Sequence, residues 1–352
     1  MTLFDQALKE IDNGKVGLNI GLDMGFDRLT EYLPNIQPGT MYNIGGRPKD
    51  GKTAFVDECF LYRPYEAFMN NKDSNIDVEW NYFSFEIDKV KKIVKGIGRR
   101  LYRKYGIVAD INKVLSRGKH KISQEIYDKV LECREYFNQL EDKLNIFNIS
   151  DIGNPTGIYK YLKERSVDEG KLIFKNVFYD GEDYKKLDRY IPNNSSKYNI
   201  DIIDHIALTK SEDGLDTKHT IDRLLQYMIE LRNVYRRTPV IVQQLAINID
   251  NTRRNKGQFK PVIEDWGDSR YSIRDSEIIM ALFNPSSFEL HTDNHYDIDI
   301  LGNRYRNLEI IYNRDGDPNI NIGLEFIGEV GAFNELPPTS KIDYNKYLNN
   351  KY

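Results

Sequence analysis

The sequence predicts an α/β protein whose central sheet is mostly parallel. Two observations point there. Short apolar runs rich in β-branched and aromatic residues alternate with longer helical patterns, as in strand–helix–strand units. One glycine-rich turn lies between such a run and a helical stretch, where α/β proteins hold anions. Strands are expected at 41–45, 79–85, 144–149, 200–204, 239–243, 277–282 and 308–312. The clearest helix covers 219–235, where Ile221, Leu224, Leu225, Met228, Leu231 and Tyr235 recur at the spacing of one buried face. A first helix is expected over 3–11, stopped near Asn13-Gly14. The 174–197 stretch mixes Tyr, Asp and Lys with Asn193-Asn-Ser-Ser196 and reads as an insertion, in its simplest form a hairpin. After Pro337-Pro338 the chain is polar and suits either wrapping of the surface or mobility. The expected organisation is one domain over 15–336, a helical appendage over 1–14 and a polar tail over 337–352.

Composition bounds the function. With 352 residues, 40% hydrophobic and 30% charged, the chain has enough apolar material for a sizeable core and is not a disordered sequence. Mean hydropathy is −0.61, and no apolar run approaches the ~18 residues that a membrane span needs. The start, Met1-Thr-Leu-Phe-Asp-Gln, lacks the basic and apolar blocks of a signal peptide. Cys59 and Cys133 alone cannot build a disulfide framework or a four-cysteine zinc site. A reducing cytoplasm is the simplest location. Lys and Arg number 50 against 54 Asp and Glu, a net charge of −4. As an average, that counts against a general nucleic-acid binder.

The sharpest motif runs Gly45-Gly46-Arg47-Pro48-Lys49-Asp50-Gly51-Lys52-Thr53-Ala54. From Gly46 it matches Gly-x4-Gly-Lys-Thr, the Walker A pattern. Glycines let backbone N–H groups turn inward around a phosphate, and the next helix adds its positive dipole end. Lys52 is expected to reach the β- and γ-phosphates of ATP, and the Thr53 hydroxyl to hold Mg2+. The alternative, a chance glycine turn, does not explain the strand before and the helix after. Asp204 ends the apolar strand Asn199-Ile-Asp-Ile-Ile-Asp204 and is the candidate acid for the metal, with Asp201 as competitor. Glu86 ends Trp80-Asn-Tyr-Phe-Ser-Phe-Glu86, at the sheet edge where ligands bind in parallel α/β folds. It is the candidate general base, with Asp88 as competitor.

Together these residues resemble the DnaB-like replicative helicases, ring helicases with a RecA-like motor. The Gly46-Arg-Pro-x-x-Gly-Lys-Thr-Ala-Phe55 segment, the entry Gly21-Leu-Asp-Met-Gly-Phe-Asp-Arg-Leu29 and Phe83-Ser-Phe-Glu86 are similar to family motifs in family order over about residues 15–330. The resemblance implies a RecA-like P-loop core and assigns Glu86 as catalytic base. It places Gln244, in Val242-Gln-Gln-Leu245, as γ-phosphate sensor. It makes Arg314, in Glu309-Ile-Ile-Tyr-Asn-Arg314, an arginine finger acting on the neighbouring subunit's ATP. It also implies a homo-hexamer, single-stranded DNA as partner, a primase or loader partner, and docking of the first helix on an adjacent subunit. Tyr312 stands where the family often has lysine. The DNA-contact segment survives only as Asp265-Trp-Gly-Asp-Ser-Arg270, and the family's helical collar has no counterpart in this sequence.

Local charge departs from the average. The segment 89–104 holds eight basic residues and no acid. Helical spacing would bury Val90, Ile93, Val94, Ile97 and Leu101 and leave the charges in solvent. The basic stretch 251–260 follows the sensor strand. Arg253, Arg254, Lys256 and Lys260, with Lys210 after the Asp204 strand and Arg270, are the candidate contacts to a phosphate backbone, against the alternative of an ordinary solvated loop. His291-Thr-Asp-Asn-His295 looks metal-like but is expected to cap a hairpin turn. The reading is an ATP hydrolase and DNA helicase. Two alternatives stay open: a RecA-type recombination or repair ATPase, and a catalytically weak nucleotide-binding ring or loader subunit.

Overall fold

A computed structural model of the chain describes residues 2–71, 76–212, 214–245, 256–266 and 275–348. Its strands are β1 (Tyr42–Gly46), β2 (Asp77–Ser84), β3 (Leu144–Phe147), β4 (Gly170–Tyr179), β5 (Glu182–Pro192), β6 (Lys197–Asp204), β7 (Thr238–Gln244), β8 (Ile278–Phe283), β9 (Thr292–Asp293), β10 (Tyr296–Asp297), β11 (Tyr305–Asn313), β12 (Ile320–Ile327) and β13 (Ala332–Glu335). Nine of them form one sheet in the order β13-β12-β11-β8-β1-β7-β6-β2-β3. From β8 to β3 every pairing is parallel, and β11, β12 and β13 add antiparallel strands at one side. All expected strands are present with shifted ends. The sequence reading does not include β12 and β13, whose apolar residues are interrupted by Gly323, Glu325 and Asn334.

Strand alternation divides the core into two layers. Trp80 and Tyr82 of β2 face the helical segment after β1, against Phe55, Phe60 and Tyr65. Phe83 faces the other way, against Leu224, Leu225, Met228 and Leu231 of the Thr217–Tyr235 helix. That helix begins two residues before the expected start because Asp216 caps it, its side chain accepting from the His219 N–H at 2.8 Å.

The expected 174–197 insertion is a hairpin of β4 and β5, beginning at Gly170. Lys197 belongs to β6 instead, because Glu79 and Glu169 hold its ammonium at 3.0 and 2.7 Å. The N-terminal helix (Leu3–Lys15) runs past the expected stop. Thr2 and Asp5 form a capping box at its start, and Phe4 and Ile11 are solvent-exposed. The tail packs as far as Tyr347, with Ile342, Tyr344 and Tyr347 against Tyr296, Tyr305 and Leu336. His291 precedes the β9–β10 hairpin and His295 lies in its turn, with Asn294 and His295 at positive φ. Among the described residues no cluster of His, Cys, Asp and Glu could hold a metal by itself.

Candidate nucleotide-binding site

The 46–53 loop leaves β1 between β7 and β8, at the carboxyl edge of the parallel strands. Its shape is set from within. The Asp50 carboxylate accepts from the Arg47 N–H at 2.9 Å, and the Asp50 N–H donates to the Arg47 carbonyl at 3.2 Å. Gly51 has φ +101°, and a Cβ there would lie 3.0 Å from the Phe333 ring, so both backbone and space demand glycine. At Gly45 a Cβ would lie 2.3 Å from Trp266, whose indole N–H donates to Asn43 at 3.0 Å beneath β1. The helix after the loop starts at Lys52, so its N–H groups open toward the loop. The Lys52 ammonium donates to the Arg47 carbonyl at 2.9 Å. Burial pulls it below its usual range, against Asp50, Asp204 and Glu86.

Asp204 stands at the end of β6, fully buried. Its Oδ1 accepts from the Thr53 hydroxyl at 3.1 Å, and the Tyr82 hydroxyl lies 3.1 Å from its Oδ2. Burial raises its pKa, and the nearby Lys92 ammonium opposes that rise. The competitor Asp201 is excluded from this role. It is buried in a bidentate pair with Arg237, both contacts at 2.6 Å, and takes a further hydrogen bond from Asn81.

Geometry separates the second pair of acids in the same way. Register pairs Ser84 of β2 with Asp204 of β6, so Glu86 lies just past the sheet edge beside the Asp204 strand. Asp88 instead caps the basic helix (Lys89–Tyr105), its carboxylate accepting from the Val90 and Lys91 N–H groups at 3.0 and 3.2 Å. Glu86, Gln244, Lys52, Thr53, Asp204 and His205 line one cavity of about 570 Å³. Gln244 is at the exposed end of β7, opposite Gly46, whereas its neighbour Gln243 turns inward and donates to the Trp266 carbonyl at 2.7 Å. Ala109, Ile111 and Val330 form an apolar far wall.

The basic helix corrects the expected burial. Val94 and Leu101 are buried, but Val90 is 69% exposed, while Lys92 and Arg99 are buried. Glycines explain the shift. A Cβ at Gly96 would strike the Tyr62 hydroxyl and one at Gly98 the Ala109 carbonyl, so the helix packs closely along this line. The acids Asp57 and Glu58 then meet the buried cations. The run is therefore only partly a solvated face.

Sequence reasoning missed Arg306. It is buried at the start of β11, where its guanidinium donates to the Asp50 carbonyl at 2.9 Å and to the Asn303 and Tyr305 carbonyls at 2.7 Å. Burial lowers its pKa to about 10, although Asp50 pulls the other way. Its one sequence signal is the polar Arg306-Asn307 pair inside a strand. Arg306→Met is expected to weaken nucleotide binding about tenfold or more, since a charged hydrogen bond contributes about 1.5–3 kcal/mol. Titration with a fluorescent nucleotide checks this, and unchanged affinity would show that the loop holds its shape unaided.

Arg314 lies away from the cavity. It follows β11, which runs antiparallel to β8, and its guanidinium donates to Glu277 at 2.8 Å, at the amino end of the parallel strands. The five residues of β1 separate that end from the 46–53 loop, about 15 Å of strand. Arg314 cannot reach the cavity of its own subunit.

Of the candidate nucleic-acid contacts, Lys210 is exposed beyond β6, its N–H donating to the Gly153 carbonyl at 2.7 Å. Lys256 is exposed. Lys260 pairs with Asp293 at 3.1 Å and donates to Asn294 at 2.8 Å, which ties it to the β9–β10 hairpin. Arg253, Arg254 and Arg270 lie outside the described residues.

The fold is a RecA-like α/β core, the fold of a DnaB-like helicase motor. Two solved structures are similar to it. One is an ATPase domain, which matches with TM-score 0.65 and 18% identity, over 96% of this chain and 100% of that one. The other is a DnaB-like replicative helicase, described with its interactions with primase, which matches with TM-score 0.62 and 16% identity. That match covers 95% of this chain and 66% of the other. Neither a protein-family model nor a curated protein matches the sequence.

Proposed function

We propose that this chain is the motor of an ATP-driven replicative DNA helicase. In this reading it assembles as a ring, a homo-hexamer, and moves along single-stranded DNA. One observation carries it. Lys52, Thr53, Asp204, Glu86 and Gln244, from four separate stretches of sequence, line one cavity, and Arg314, paired with Glu277 at the amino end of the strands, is outside it.

The 46–53 loop and Ala54 hold the phosphates, with Lys52 turning from the Arg47 carbonyl to the anion. The Thr53 hydroxyl and Asp204 carboxylate are hard oxygen donors that fit Mg2+, and among the described residues no cluster of acids converges there to bind the ion without phosphate oxygens. Mg2+ bound with ATP supplies neutralisation of the developing phosphate charge. Glu86 orients and deprotonates the attacking water. Gln244 touches the γ-phosphate and reports it along β7 to the segment after it. Arg314 of a neighbour completes the site, and the exposed apolar side of the N-terminal helix docks on an adjacent subunit. Lys210, Lys256 and Lys260, with Arg253, Arg254 and Arg270, follow the DNA backbone without reading sequence. A primase or loader is a fitting partner, and the cytoplasm a fitting location. Among the described residues no helix is long and apolar enough to cross a membrane.

Steady-state ATPase assays with and without single-stranded DNA test this reading. Hydrolysis stimulated several-fold by DNA, with strand displacement on a forked duplex, is the expected result. Hydrolysis indifferent to DNA would overturn the motor reading.

A further inference from the structure

Beside the cavity, which Asp57 lines, lie buried charges that nucleotide binding alone does not demand. Asp57 lies four residues after Thr53, one helical turn behind it, and is 2% exposed; Lys92, from the basic helix, is 1% exposed. The Lys92 Nζ is 2.6 Å from Asp57 Oδ1 and 4.0 Å from Asp204 Oδ2. It also lies 3.7 Å from the centre of the Tyr82 ring. The Tyr82 hydroxyl bridges the two carboxylates, 3.0 Å from Asp57 and 3.1 Å from Asp204. It has one proton and can donate to only one of them at a time. Beyond its contact with Asp57, the ammonium makes no hydrogen bond of good geometry among the described residues. A buried cation with protons to spare thus sits between two acids, held by the nearer.

The alternative position is close. A movement of about 1 Å brings Lys92 to the ~2.8 Å of a charge-assisted hydrogen bond with Asp204. An aspartate paired in that way is a poor partner for a hydrated divalent cation. We propose that Asp57 is a positioning residue: it holds Lys92 off Asp204 and so keeps that carboxylate available to the nucleotide-bound metal. The proposal rests on the reading of Asp204 given above. Arg99 does not take Lys92's place on Asp57, because its guanidinium is shared with Glu58 at 3.0 Å and reaches Asp57 only at 3.5 Å.

The test measures Mg2+-dependent binding of a fluorescent ATP analogue to the full chain, with metal-free binding as reference. Asp57→Asn removes the charge that holds Lys92 and leaves only an amide acceptor, and the Mg2+ concentration needed for half-maximal effect is expected to rise about tenfold, the usual scale for groups behind a metal ligand. Metal-free binding should change less than about twofold. Adding Lys92→Met to Asp57→Asn removes the competing ammonium and should return the Mg2+ requirement close to wild type. Lys92→Met alone should not raise it, an outcome that does not depend on Asp57→Asn folding. A double variant that stays as impaired as Asp57→Asn, or a tenfold rise in Lys92→Met, would overturn the proposal. Wild-type binding indifferent to Mg2+ would overturn the reading of Asp204 first, and the proposal with it.

Discussion

Lys52→Ala is expected to lower the rate of ATP hydrolysis about a thousandfold, the scale of removing a positioned charge from a phosphoryl-transfer site. The loss should be catalytic and not structural. Among the described residues the Lys52 ammonium makes one hydrogen bond, to the Arg47 carbonyl, and a charged bond of that kind contributes about 1.5–3 kcal/mol, against which stands the cost of burying the ammonium. The loop keeps its shape through Asp50 and Arg306, neither of which depends on Lys52. Phosphate release in steady state and a thermal melt on the same sample separate the two effects. Undiminished hydrolysis would show that the 46–53 loop does not hold the reacting phosphates.

Arg314→Ala should abolish turnover on a comparable scale, because an arginine supplied by a neighbour contributes about 10³-fold or more. Its pairing with Glu277 is partly exposed, and such bridges contribute about 0–1 kcal/mol, so the fold should survive. Arg232 also remains on Glu277 at 2.6 Å. The sharper measurement mixes subunits. Arg314→Ala subunits retain an intact cavity, and Glu86→Gln subunits retain the arginine. In a 1:1 mixture about one interface in four joins an intact cavity to an intact arginine, and activity should reappear although each variant alone is dead. Mixtures that never regain turnover would remove Arg314 from the site.

These two residues mark how differently the site could be read. Lys52 belongs to a local pattern in which the strand, the loop and the following helix are contiguous, so eight residues carry the motif. Arg314 has no local pattern of that kind. It entered through a resemblance, and its distance from the cavity follows from β11 being antiparallel to β8, a long-range pairing. The same contrast divides the acids. Asp201 and Asp204 lie on one strand, and only the position of Arg237 shows that Asp201 is a structural ion-pair partner. Glu86 and Asp88 are both carboxylates within four residues of the end of β2. The helix that begins after Asp88 uses one of them as its cap and leaves the other to the cavity.

The basic helix shows where periodicity fails. Counting apolar residues assigns the buried face to Val90 and leaves the lysines outside. The buried line instead follows Gly96 and Gly98, because the absence of side chains allows Tyr62 and the Ala109 carbonyl to come close. Lys92 and Arg99 are drawn inside because Asp57 and Glu58 are there to receive them. No scale of hydropathy contains that information, since it concerns pairs of residues 35 or more positions apart.

An α/β protein with a mostly parallel sheet around a glycine-rich turn is legible from residue order alone. So are Lys52, Thr53 and the strand ends that carry Glu86 and Asp204. These depend on short-range rules: strand alternation, glycine conformations and helix caps act within a few residues. Folding had to select which acids are free to act and which cations are buried. It also had to bring Arg306 against the loop and turn Arg314 away from the cavity. Those outcomes depend on which charges share a low-dielectric interior, and distant segments of chain must meet before that is settled.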